Sequence, residues 1–76
     1  MSSRTALVTG GNRGIGYAIA EELVAAGHKV AVTARSGSGP KGSLTLAADV
    51  TDGESLDRAI AEAEEKLGPI EILVAN

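Results

Sequence analysis

Apolar positions along this chain change their period in a regular order. Thr5-Ala-Leu-Val-Thr9 is a short β-favouring run that stops at Gly10-Gly11, which predicts a strand followed by a turn. From there the apolar positions are Ile15, Ala18, Ile19, Leu23 and Ala26, one face of a helix of about three turns. Gly27 ends that helix as a left-handed cap. Lys29 to Thr33 predicts a second strand, Ser36 to Ser43 a loop without apolar periodicity, and Leu44 to Ala48 a third strand. Thr51 and Glu54 have the spacing of a capping box. The helix they open carries Leu56, Ala59, Ile60, Ala63 and Leu67 on one face, with Glu54/Arg58 and Glu62/Lys66 paired on the outer one. Gly68-Pro69 stops it, and Ile70 to Ala75 predicts a fourth strand.

The second and fourth strands are nearly continuous apolar runs, the pattern of parallel strands covered on both faces. Taken in order, the elements predict an α/β fold, a doubly wound parallel sheet of the Rossmann kind. Right-handed crossovers give the strand order 3-2-1-4 and place the two helices on opposite faces of the sheet. With a loop rather than a helix at 36–43 between strands 2 and 3, one face is left to the first helix alone. No repeat or internal boundary divides residues 1–76.

Composition narrows the function. A chain of 76 residues buries only about 60% of its unfolded surface, which is marginal for independent stability. With no Cys and one His, disulfides, thiolate metal sites and imidazole clusters are excluded. A net charge of −3 and a single aromatic residue, Tyr17, exclude the basic field and stacking surface of general nucleic-acid binding. No apolar run approaches the ~20 residues of a membrane span, and the Met-Ser-Ser-Arg-Thr start has no signal-peptide pattern. A cytoplasmic location is therefore expected.

The chemistry concentrates in Thr9-Gly10-Gly11-Asn12-Arg13-Gly14-Ile15-Gly16, between the first strand and the first helix. Glycines there permit positive φ and leave no Cβ between backbone and ligand. The helix that follows directs free N–H groups and its positive dipole end at the same point, an anion site suited to a dinucleotide pyrophosphate. Gly16 lets the helix pack close to the sheet. Gly11 and Gly16 have P-loop separation, but Tyr17-Ala18 stands where Lys-Ser/Thr is required, so a nucleoside-triphosphate site fails. The plain alternative is a tight strand-to-helix turn without a ligand.

Where a NAD-binding fold carries an acidic residue at the end of strand 2, this chain has Ala34-Arg35. Arg35, with Arg13 in the turn, offers donor forks for a 2′-phosphate, which favours NADP; the alternative for Arg35 is a solvated loop residue. Asp49, at the end of strand 3, either accepts from the adenine amine or caps the following turn. Asn76 ends strand 4 and is expected to face Gly10 across the crevice. His28 is expected to meet the last carbonyls of the first helix, Tyr17 to pack, and the acidic residues at 62, 64 and 65 to form a solvated face.

Thr9-Gly10 through Gly16, Asp49-Val50-Thr51-Asp52 and Leu73-Val74-Ala75-Asn76 resemble the N-terminal part of the short-chain dehydrogenases/reductases. With Gly27 to Thr33, Pro40-Lys-Gly and Gly68 to Val74, the whole chain is similar to 3-oxoacyl-(acyl-carrier-protein) reductases. The resemblance implies that Arg13, Gly14, Ile15, Arg35, Asp49, Val50 and Asn76 contact NADPH; Gly10, Asn12 and Gly16 of the turn are expected at the same cofactor site. It also implies an acyl-carrier-protein-linked substrate, a homotetramer, and a catalytic Ser and Tyr-x-x-x-Lys downstream of Asn76. Tyr17 is followed four residues later by Glu21 rather than Lys, so no catalytic residue is expected within residues 1–76. The alternatives are a short-chain reductase of sugars, steroids or small ketones, and a non-catalytic dinucleotide-binding module.

Overall fold

In a computed structural model, which describes residues 3–11, 14–49 and 51–75, every strand runs parallel to its neighbours. The elements are β1 (Thr5–Thr9), α1 (Gly14–Ala25), β2 (Lys29–Ala34), β3 (Leu44–Ala47), α2 (Gly53–Leu67) and β4 (Ile72–Val74). The strand order is β3-β2-β1-β4, as the right-handed crossover rule requires. Thr5 to Thr9 register with Lys29 to Thr33 on one side of β1, and Ala6 to Val8 with Ile72 to Val74 on the other.

Alternation along the central strand divides the core between the two faces. Leu7 joins Ala31, Leu46 and Ala48 under Ala59 and Ala63 of α2, with Ile60 and Leu67 at the margin. Val8 joins Val30 and Val32 under Ala20 of α1, flanked by Ile19, Leu23 and Val24. Each helix therefore meets the sheet through alanines, and its larger residues wedge in at the sides.

That size selection corrects the face expected for the first helix. Gly16 and Ala20 are its buried positions, whereas Ile15 is 73% exposed and Ala18 and Ala26 also lie outside. Apolar spacing alone weights large residues, but close helix-on-sheet packing puts the smallest side chains on the contact line. The end of α1 is as expected: the Gly27 N–H donates to Val24 O and the His28 N–H to Leu23 O, at 3.0 and 3.1 Å, the paired bonds of a Schellman cap.

The capping box is also corrected. Asp52, not Thr51, caps α2, its carboxylate accepting from the Glu54 N–H at 3.0 Å. The Thr51 hydroxyl is already engaged, donating to Asp49 Oδ1 at 2.6 Å. Lys66 and Glu62 form the expected pair at 2.9 Å; Glu54 and Arg58 do not. The fourth strand is shorter than its apolar run.

The loop between β2 and β3 does more than connect. Pro40 is buried, and a methyl group on Gly39 would lie 2.5 Å from Val32 Cγ2. The Gly39 N–H is held by Thr45 Oγ1 at 3.0 Å, and the Pro40 carbonyl accepts from both the N–H and the hydroxyl of Ser43. The loop thus covers Val32 on the α1 face, and α1 does not cover that face alone.

Candidate functional site

The carboxyl ends of the parallel strands come together at one edge of the sheet, and the glycine turn leaves β1 there. Gly10 has φ 66° and Gly14 φ 62°, conformations that cost other residues about 1–2 kcal/mol. Between them Gly11 is buried, and a methyl group on it would sit 2.5 Å from Val32 Cγ1. At Gly11 the turn therefore packs down onto β2. Gly16 is buried in the first turns of that helix and Ile15 stands exposed beside it.

Two threonines tie the turn to the sheet. The Thr9 hydroxyl donates to Val74 O at 3.3 Å, joining the ends of β1 and β4. The Gly10 N–H donates to Thr33 Oγ1 at 3.2 Å, joining the turn to the end of β2. Thr33 is absent from the residues expected at the site. Its signal in the sequence is that it is the polar member of the buried run Val30 to Ala34, at the end nearest the glycines.

Arg35 is exposed immediately after β2, and Ala34 pairs with Ala47 of β3, which brings Arg35 to the same edge as Asp49. Asp49 accepts through Oδ1 from the Thr51 hydroxyl and from the Thr51 N–H at 3.0 Å, so the turn-capping role is realised. The hydroxyl, then the N–H, hold its carboxyl below the usual carboxylate range, with a smaller pull from the Arg35 guanidinium and partial desolvation opposing. Ser55 Oγ accepts from the Asp49 N–H at 3.0 Å, which fixes the backbone at the end of β3.

A lowered folded-state value means that this carboxylate stabilises the fold above the ordinary aspartate range and loses that contribution as pH falls through the lowered value. Thr51→Val removes the hydroxyl donor. The Asp49 titration, followed by NMR of its carboxyl carbon, is expected to move up toward the ordinary range, so the variant is less stable than the parent above the ordinary aspartate range, and the difference fades as pH falls through the parent's lowered value. An unmoved titration would contradict the hydroxyl as the main cause.

Asn12, Arg13, Val50 and Asn76, also expected at the site, lie outside the described residues. The His28 backbone caps α1 as expected, but its ring turns elsewhere: Nδ1 accepts from the Arg4 N–H at 3.1 Å, at the opposite end of β1 from the turn. Tyr17 is half-buried in α1. Among the described residues no group of His, Cys, Asp and Glu could hold a metal ion, and no helix is long and apolar enough to cross a membrane.

Comparison with known proteins bears on this arrangement. The short chain dehydrogenase family model matches residues 4–76. The chain is 58% identical over 74 residues to the 3-oxoacyl-(acyl-carrier-protein) reductase MabA of Mycobacterium tuberculosis, covering 97% of this chain and 30% of that protein. Among solved structures, the ligand-free aldohexose dehydrogenase of Thermoplasma acidophilum superposes with a TM-score of 0.90 at 32% identity, over 97% of this chain and 29% of the other. The 3-ketoacyl-(acyl-carrier-protein) reductase of Brucella melitensis, solved in complex with NADH, does so at 0.82 and 28% identity, over 92% and 32%. The chain thus spans about a third or less of the length of each of these proteins.

Proposed function

The chain belongs to the short-chain dehydrogenase family, and on that premise we propose that it is the cofactor-binding half of an NADPH-dependent 3-oxoacyl-(acyl-carrier-protein) reductase. Residues 1–76 are then part of a longer single-domain enzyme of fatty-acid synthesis. The identity to the mycobacterial reductase supports this substrate class. The observation that carries the cofactor reading is the positive φ of Gly10 and Gly14, on either side of the glycine turn, with Arg35 immediately after the adjacent strand.

The residues present fit a dinucleotide. Gly10 and Gly14 put no side chain over the α1 N-terminus, whose unpaired N–H groups and dipole suit a diphosphate. Gly10, Asn12, Arg13, Gly14, Ile15 and Gly16 would surround that diphosphate, and Arg35 would take the 2′-phosphate through its planar donor fork. Asp49 and Val50 would meet the adenine; the Asp49 carboxylate caps its turn through Oδ1, which leaves Oδ2 for the exocyclic amine. Asn76 would stand opposite Gly10.

When bound, the reduced nicotinamide supplies the hydride that converts a 3-oxoacyl thioester to its 3-hydroxyacyl product. The contribution of this chain is to bind and orient, because the Ser and Tyr-x-x-x-Lys of the family lie beyond Asn76 in this reading. The enzyme is a cytoplasmic homotetramer in the same reading. Mixing the full-length protein with NADPH and an acetoacetyl thioester of acyl carrier protein is expected to consume NADPH and to form the 3-hydroxy product. Turnover of aldoses but of no 3-oxoacyl thioester would replace this reading with that of a sugar dehydrogenase, which the superposition on aldohexose dehydrogenase favours.

A further inference from the structure

We propose that Thr33 is a positioning residue for the dinucleotide site, holding the Gly10 amide so that the N-terminus of α1 presents its N–H groups to the diphosphate. The proposal rests on the dinucleotide reading given above.

Three observations carry it. Thr33 is fully buried, in a strand whose neighbours Val30, Ala31, Val32 and Ala34 are all apolar. A valine of the same shape would suit that environment better unless the hydroxyl has a task, since an unpaired buried hydroxyl is costly. The hydroxyl does have a partner, the Gly10 N–H, 23 residues earlier in the chain. Finally, Thr9 registers with Thr33, and the main chain turns away at Gly10 with φ 66°. The side chain of Thr33 therefore carries the cross-strand bonding one step past the end of the β1–β2 ladder, at the residue where the turn takes its direction.

This arrangement assigns different work to neighbouring amides. The Gly10 N–H is engaged with protein, and the diphosphate falls to the amides that follow. Strand β2 then serves the site twice: through Thr33 it holds the diphosphate turn, and two residues later it delivers Arg35. The diphosphate is common to NADPH and NADH, whereas the 2′-phosphate is not. Loss of the Thr33 hydroxyl must therefore weaken both nucleotides together, while a change at Arg35 must alter their ratio.

The test titrates NADPH and NADH into the full-length protein and its Thr33→Val and Thr33→Ser variants, below the melting temperature of each. Thr33→Val is expected to weaken both nucleotides by about tenfold with their ratio unchanged, the scale set by one unpaired buried donor. Thr33→Ser, which keeps the hydroxyl, is expected to restore both to within about twofold of the parent. A valine variant that melts earlier yet binds both nucleotides as the parent does would show a purely structural hydroxyl and overturn the proposal. A parent that binds neither nucleotide overturns the dinucleotide reading itself, a distinguishable result that takes this role with it. Should Thr33→Val fail to fold, hydrogen exchange of the Gly10 amide in the parent decides. Slow exchange with and without NADPH supports the bond, and exchange at the rate of an open loop amide overturns it.

Discussion

Replacing Gly11 with alanine is expected to destabilise the fold by about 3 kcal/mol, the upper part of the range for overpacking a filled interior. The new methyl would lie 2.5 Å from Val32 Cγ1 and 2.6 Å from Val32 Cβ. Val32 is fully buried, and it cannot swing aside, because Gly39 of the β2–β3 loop presses on its other methyl from the same face. Gly11 and Gly39 thus grip one side chain between them. Gly14 offers a contrast within the same turn: a methyl there meets nothing within 4 Å, so alanine should cost only the conformational penalty of its positive φ, about 1–2 kcal/mol. Denaturant unfolding measures both costs. A Val32→Ala change made alongside Gly11→Ala should recover part of the loss, with a coupling of about 1 kcal/mol or more. Additive effects would mean that the contact between turn and strand is not the cause.

Replacing Arg35 with aspartate is expected to lower the affinity for NADPH relative to NADH on the order of 100-fold. That figure combines a lost charge-assisted hydrogen bond of about 1.5–3 kcal/mol with new repulsion from a carboxylate near Asp49, each 1.4 kcal/mol being about a factor of ten. Arg35 is exposed at the end of β2, so stability should change by no more than about 0.5 kcal/mol. Titration of both nucleotides gives the ratio, and thermal unfolding provides the control. An unchanged ratio would move the reading of the 2′-phosphate to Arg13 or away from the turn altogether.

Much of the fold was legible because two elementary rules acted in the same direction. Continuous apolar strands required cover on both faces, and right-handed crossovers then left the order 3-2-1-4 as the natural outcome. The face of α2 was readable because its small and large apolar residues share one stripe. The face of α1 was not: Ile15 belongs to the apolar series but stands out at the turn, while the contact line falls on Gly16 and Ala20. Hydropathy does not record which residues are small enough for close approach. The covering loop was illegible for a related reason, since Gly39 and Pro40 carry no periodic signal and their packing depends on the room beside Val32.

In the glycine turn, the positive φ of Gly10 and Gly14 was legible from backbone freedom, and the exposed cation after β2 from Arg35 itself. The reason for Gly11 was not, because that glycine answers to a valine 21 positions away in β2 rather than to a ligand. Thr33 was hidden as well, read as one more β-branched residue of a strand. Thr51 showed the converse error. Its spacing from Glu54 suggested a cap, but the nearer carboxylate of Asp49 had already taken its hydroxyl.

The pairing of β1 with β4 has a kinetic consequence. Ala6 to Val8 meet Ile72 to Val74, so one whole side of the central strand waits for residues that leave the ribosome more than sixty positions later. Until then a nascent chain can build only the β1–β2–β3 part of the sheet, with α2 to cover Leu7 but with the other edge of β1 unpaired. Loop closure over such distances delays folding without itself weakening the finished state. The strand that carries the glycine turn at its tip is thus among the first to be synthesised and among the last to be enclosed.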